Sequence, residues 1–155
     1  MVADVLTHGG ADFGEVDLIC SLNADRRLDG ERAWLTKVSL PASRASDAAL
    51  ACLGDAAGRA RTLQALASRE ERDVQIVQAY LRHRPITDGD ELRAVAMKVA
   101  RMDAGGAQAR ALEALARLRI EDELVLGELR QLSGRTRSPA VKRAIDEVFL
   151  RAGRL

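Results

Sequence analysis

Aromatic residues are nearly absent from this chain of 155 residues: one Trp, one Tyr and two Phe make up 3% of it. Large rings therefore cannot fill its interior, and a core must be assembled from Ala, Leu and Val, whose small volumes let helices approach closely. Proline is scarce as well. Pro41, Pro85 and Pro139 all fall where helix-period segments begin or end, so none removes an interior helical hydrogen bond. The two cysteines, Cys20 and Cys52, have no CxxC or Cys/His spacing, which excludes the usual zinc patterns. Both sit at apolar positions and read as buried free thiols, packing like small hydrophobes. No apolar run approaches the roughly 18 residues of a membrane span. The N-terminus lacks the basic start and apolar stretch of a signal peptide. The expectation from these absences is a soluble, cytoplasmic protein with no membrane contact.

Catalytic signatures are missing too. There is no GxSxG, Walker loop, HExxH or GxGxxG. Only two histidines occur: His8, beside Gly9-Gly10, and His83, between Arg82 and Arg84 at the end of a helical stretch, where a solvated cationic helix end is the natural reading. No catalytic residue, metal ligand or cofactor is assigned, and a non-enzymatic role follows as the expectation.

What the chain does have is charge in both signs, and helical periodicity. Net charge is +1, which gives no global field for nucleic acid or membrane. The ends differ: residues 1–25 hold five acids and no Lys or Arg, whereas residues 130–155 hold seven bases against Asp146 and Glu147. An acidic head and a basic tail suggest head-to-tail self-association that weakens with salt.

Apolar residues recur at helical spacing along most of the chain. Segments are expected at Asp12 to Leu22, Leu28 to Val38 (with Trp34 on its apolar stripe), and from Pro41 to a stop at Gly54. Further segments cover about 58–68, 72–84, 90–102, 107–118 and 122–132, and a last helix is capped by Ser138 with Pro139 in its first turn. Gly105-Gly106 and Ser133-Gly134 read as separating turns, and Thr87 or Asp88 as a cap. No strand is expected. The first segment, with Val16, Leu18, Ile19 and Leu22, is too apolar for a free end. It implies a preceding fragment, a cap formed by residues 1–10, or self-association.

The stretch Asp55 to Leu81 has an echo at Asp103 to Leu129: Asp55-Ala56-x-Gly58 matches Asp103-Ala104-x-Gly106, and Ala65-Leu66-Ala67 matches Ala114-Leu115-Ala116. A finer period near 32 residues links helix starts at about 58, 90 and 122, and a second series at about 73, 106 and 138. Two helices per unit of about 30 residues is the pattern of a stacked helical repeat. Ala49-Leu50-x-x-Leu53-Gly54-Asp55, Asp73-Val74 and Ser138-Pro139-x-Val141-Lys142-Arg143 resemble HEAT repeats of the short kind first described in phycobilisome lyases. The resemblance spans roughly residues 43–152 and implies that Asp73 caps its own helix. It implies an all-α fold, an α-solenoid of antiparallel helix pairs with about four repeats in one domain over residues 1–155.

HEAT motifs specify packing rather than chemistry, so the resemblance points to a binding surface rather than a reaction. In such folds the second helix of each pair lines the concave side. The outward positions of those helices supply Arg44 and Asp47; Gln75, Gln78 and Arg82; Gln108, Arg110, Glu113 and Arg117; and Lys142, Asp146 and Arg151. A mixed-sign face rich in Arg and Gln suits a protein or peptide partner, because Arg pairs bidentately with carboxylates. The expected role is an interaction scaffold or adaptor. The alternative is a nucleic-acid-binding module that uses the basic run Arg130, Arg135, Arg137, Lys142 and Arg143.

Overall fold

The computed structural model describes residues 13–29 and 44–154. His8, Trp34, and the segments expected for residues 1–10 and 30–43 lie outside them. Among the described residues there are eight α-helices and no strand, so the fold is all-α. They are α1 (Phe13–Leu22), α2 (Arg44–Cys52), α3 (Ala56–Gln64, closed by a 3-10 turn at Ala65–Ala67), α4 (Glu71–His83), α5 (Gly89–Ala100), α6 (Gly105–Ala116), α7 (Glu123–Arg135) and α8 (Pro139–Arg151). The chain divides into two compact units, one made of Met1–Ala65 with Gln75–Arg84, the other of Leu66–Val74 with Pro85–Leu155.

Local chemistry fixes most helix ends. Asp55 caps α3 through the Gly58 N–H at 2.7 Å, Asp88 caps α5 through the Asp90 N–H, and Ser138 caps α8 through the Val141 N–H. Helix α2 stops at Gly54, whose φ of +94° is open to glycine at little cost. There the Gly54 N–H bonds to the Ala51 carbonyl and the Asp55 N–H to the Leu50 carbonyl, a Schellman closure. Gly153 ends α8 in the same way, with φ +72°.

Several expected boundaries move. Gly105 and Gly106 are not a separating turn but the first two residues of α6. First-turn N–H groups have no intrahelical partner, so glycine there gives up little, and a Cβ on Gly106 would run into the Glu71 carboxylate. Likewise α7 runs through Ser133-Gly134 to Arg135, because Gly134 lies at its exposed end with open space around it. Asp73 is inside the first turn of α4 rather than its cap, and its carboxylate accepts the Ser68 hydroxyl at 2.9 Å.

In the first unit, α2 packs against both α1 and α3. Alanines at 45, 48, 49 and 51 are buried on α2 with Leu53 just beyond, while Val16 and Ile19 are the buried aliphatics of α1. Leu22 and Ala60 are exposed. The expectation of free thiols is also overturned. Cys20 and Cys52 are buried as expected but form a disulfide, with Cα atoms 5.0 Å apart. Nothing in their sequence spacing marks them as partners; they meet because α1 lies on α2.

In the second unit, α5 pairs with α6 and α7 with α8, while α5 also packs on α7 and α6 on α8. Helices α4, α6 and α8 start at Glu71, Gly105 and Pro139, each 34 residues after the last. The 48-residue echo, by contrast, relates α3 to α6, helices of different series. It reflects a shared helix composition rather than the stacking interval.

Asp122 joins two of these helices. Its Oδ1 accepts from the N–H groups of Leu124 and Val125 at the start of α7, and its Oδ2 accepts from Arg93 Nε of α5 at 2.6 Å. The hydrogen bond from Arg93, helped by those two N–H groups, holds the Asp122 carboxyl below its ordinary value of 3.8 and raises the Arg93 guanidinium. A carboxyl that is more acidic when folded contributes stability above its unfolded pKa and loses it as pH falls through the folded value. Thermal unfolding followed from about pH 7 to about pH 2.5 should therefore show Asp122→Asn destabilised at neutral pH and converging on the parent below the ordinary aspartate range. Parallel curves at all pH values would show that the pair does not contribute.

Candidate interaction surface

Helices α6 and α8 run side by side with their N-terminal ends together: a Cβ on Gly105 would lie 3.5 Å from Ser138 Oγ. Burial on α6 is unusually wide. Ala107, Gln108, Ala109, Ala111, Leu112, Ala114, Leu115 and Ala116 are all inside. What remains outward is one narrow stripe, Gly106, Arg110, Glu113 and, just past the helix end, Arg117, at the i, i+4, i+7, i+11 spacing of a single helix face. On α8, which packs against α6, Lys142, Arg143, Asp146 and Leu150 are exposed.

Most cations of this unit are already matched. Arg110 meets Glu71 at 3.0 Å, Arg93 meets Asp122, Arg101 meets Glu128 at 3.9 Å, and Arg151 meets Glu147 at 2.5 Å. Arg154 pairs with Glu123. Arg119 Nε donates to the Arg151 carbonyl at 3.4 Å. Arg130 lies over the Phe149 ring, 5.1 Å from its centroid. Arg135 Nη2 donates to the Ala100 carbonyl at 3.0 Å, at the end of α5. Arg117, Arg137, Lys142 and Arg143 are exposed, and no acidic group among the described residues pairs with them.

The structure thus separates residues that the sequence grouped together. Gln108 was expected to face outward, but it is 3% exposed. Its Nε2 donates to the carbonyls of Val99 at 2.9 Å and Met102 at 3.0 Å, closing the C-terminal end of α5. A side chain so placed is a helix cap, not a contact for a partner. Of the five residues of the basic run, Arg130 and Arg135 are engaged within the fold, leaving Arg137, Lys142 and Arg143.

The other expected site residues belong to the first unit. Arg44 is exposed on α2, and Asp47 of the same helix binds Arg61 Nε at 2.8 Å, which raises the Arg61 guanidinium. Gln75 and Gln78 are half-buried on α4, and Arg82 is exposed. His83 is not a freely solvated end group: its Nε2 lies 2.6 Å from Asp17 Oδ1 of α1. A carboxylate can orient an imidazole for proton transfer, but no hydroxyl or thiol among the described residues is hydrogen-bonded to that ring. Nor do three His, Cys, Asp or Glu side chains gather as a metal site among the described residues.

Sequence reasoning missed a polar cluster in this unit. Asn23, fully buried, donates through Nδ2 to Asp29 Oδ1 and to the Cys52 carbonyl, both at 2.7 Å, and its Oδ1 accepts the Leu28 N–H at 2.8 Å. Arg84 Nη2 donates to the Asn23 carbonyl at 2.7 Å. A donor sent 29 residues along the chain leaves no local mark in the sequence.

Comparison of the chain with protein-family models, curated proteins and solved structures returns no match.

Proposed function

We propose that the chain is a non-catalytic binding scaffold that holds an acidic segment of a partner protein along the exposed faces of α6 and α8. The observation that carries this reading is the set of four cations, Arg117, Arg137, Lys142 and Arg143, left without an acidic partner among the described residues in a unit where most other arginines are matched. Arginine presents a planar fork to carboxylates and gives orientation as well as attraction. The stacking of α5–α6 on α7–α8, helix upon helix at a 34-residue interval, supports the HEAT-like reading of this unit. Nucleic acid is the less supported ligand. The aromatic rings with described surroundings, Tyr80 and Phe149, are both buried and unavailable for base stacking.

The test is fluorescence anisotropy with a labelled acidic peptide of about ten residues, a basic peptide of equal length and a single-stranded oligonucleotide, at low and high salt. The acidic peptide should bind, and the Arg117→Glu, Lys142→Glu, Arg143→Glu variant should lose about tenfold or more in affinity. Its melting temperature should shift only slightly, since exposed substitutions typically change stability by about 0.5 kcal/mol or less each. Equal binding of the variant, or preference for the oligonucleotide, would overturn the reading.

A further inference from the structure

We propose that the Cys20–Cys52 bond is a redox-operated latch that fixes α1 on α2, and that its reduction releases α1 while α6 and α8 stay folded. The bond joins the body of α1 to the last residue of α2. Other ties meet at the same seam. The Cys52 carbonyl accepts from Asn23 Nδ2 at 2.7 Å and from Arg84 Nη2 at 3.4 Å, and Arg84 also holds the Asn23 carbonyl. Asp17, one turn before Cys20, reaches His83. Cys52 is therefore both the covalent anchor and a hydrogen-bond acceptor for this junction. If the bond opens and α1 shifts, Asn23 Nδ2 loses the Cys52 carbonyl and Arg84 loses the Asn23 carbonyl.

Among the described side chains, the aliphatic packing of α1 is narrow. Its buried aliphatic side chains are Val16 and Ile19, while Leu18 and Leu22 are 50% and 44% exposed. A ten-residue helix has little stability without packing. The covalent link adds to this narrow packing and to the hydrogen bonds of the seam in keeping α1 in place. Both sulfurs are shielded, at 0% and 1% residue exposure, so attack requires a local opening of α1 first. The exchange itself balances simply. A thiolate of a cellular dithiol attacks one sulfur and forms a mixed disulfide. Its second thiol then displaces the protein sulfur, leaving Cys20 and Cys52 as thiols and the dithiol as a disulfide, with two electrons and two protons transferred. An oxidising compartment keeps the latch closed, whereas the cytoplasm, where the sequence alone would put this chain, favours the open form.

The experiment is hydrogen exchange by mass spectrometry on the full chain, with and without a phosphine reductant, alongside alkylation under denaturing conditions to count thiols. Expected are no alkylated thiols before reduction and two after it. Amide exchange in Phe13–Leu22 should speed up by about tenfold or more, with Gly105–Ala116 and Pro139–Arg151 unchanged. The Cys20→Ser, Cys52→Ser variant should match the reduced protein. Two thiols before reduction, or unchanged exchange in α1 after it, would overturn the proposal. So would unprotected exchange in every helix, which would make the bond a staple for the whole fold rather than a latch on α1.

Discussion

Replacing Leu112 with alanine should lower the unfolding free energy by about 3–5 kcal/mol, the upper part of the range for a buried leucine. Leu112 is fully buried on α6, the helix that packs against both α5 and α8. The reason for the upper part of the range is its surroundings on α6. Every other buried apolar side chain of that helix except Leu115 is an alanine. Alanine has no rotatable side chain with which to fill a void, so the cavity persists rather than collapsing. Urea unfolding followed by far-UV circular dichroism measures the change. Leu124→Ala serves as the control: Leu124 is 65% exposed, and its truncation should change stability by about 0.5 kcal/mol or less. A loss below about 1 kcal/mol at Leu112 would show that α6 is not clamped between its neighbours.

Gly58→Ala is the second large effect, and its sign is the informative part. Gly58 sits in the first turn of α3, where helix propensity favours alanine over glycine by about 1 kcal/mol. Packing opposes this. A Cβ there would lie 2.8 Å from the Asp47 carbonyl oxygen and 3.3 Å from the Ala51 nitrogen, both backbone atoms of α2, and 3.0 Å from the capping carboxylate of Asp55. Backbone cannot swing aside as a side-chain end can, so α2 and α3 must separate. Overpacking typically costs about 1–3 kcal/mol, so the net result should be a loss of about 1–2 kcal/mol, and a larger one for Gly58→Val. The buried Thr62 hydroxyl, bonded to the Gly58 carbonyl at 2.7 Å, would be disturbed by the same shift. Thermal melts of the two variants test the claim: a more stable Gly58→Ala would mean that propensity wins and the helix contact has room to spare. The equivalent change at Gly106 meets the end of the exposed Glu71 side chain instead, which can move, so it should be milder.

Sequence reasoning succeeded where cause and effect lie within one helical turn. Apolar periodicity gave the helices, and Asp88, Ser138 and Gly54 were recognisable as ends because their partners are two to four residues away. The scarcity of aromatics and abundance of alanine required close helix contacts, and the buried alanines of α2 and α6 are the result. The mixed-sign outward stripe on α6 was legible for Arg110, Glu113 and Arg117 because helix spacing alone puts them on one side.

Tertiary structure decided the rest, because those outcomes depend on which atoms approach from distant parts of the chain. Gln108 and Arg110 are two residues apart on one helix, yet one closes α5 from the interior and the other meets Glu71 outside. Charge counting sees eight equivalent arginines near the C-terminal half of the second unit. Only the packing of α5 to α8 neutralises some and leaves Arg117, Arg137 and Arg143, with Lys142, open to a partner. The cysteines show the same division. Composition marked both as core residues, but covalent pairing requires two Cα atoms about 4.4–6.8 Å apart. Here that distance is 5.0 Å across 32 residues, set by the way α1 lies on α2 and written in neither helix by itself.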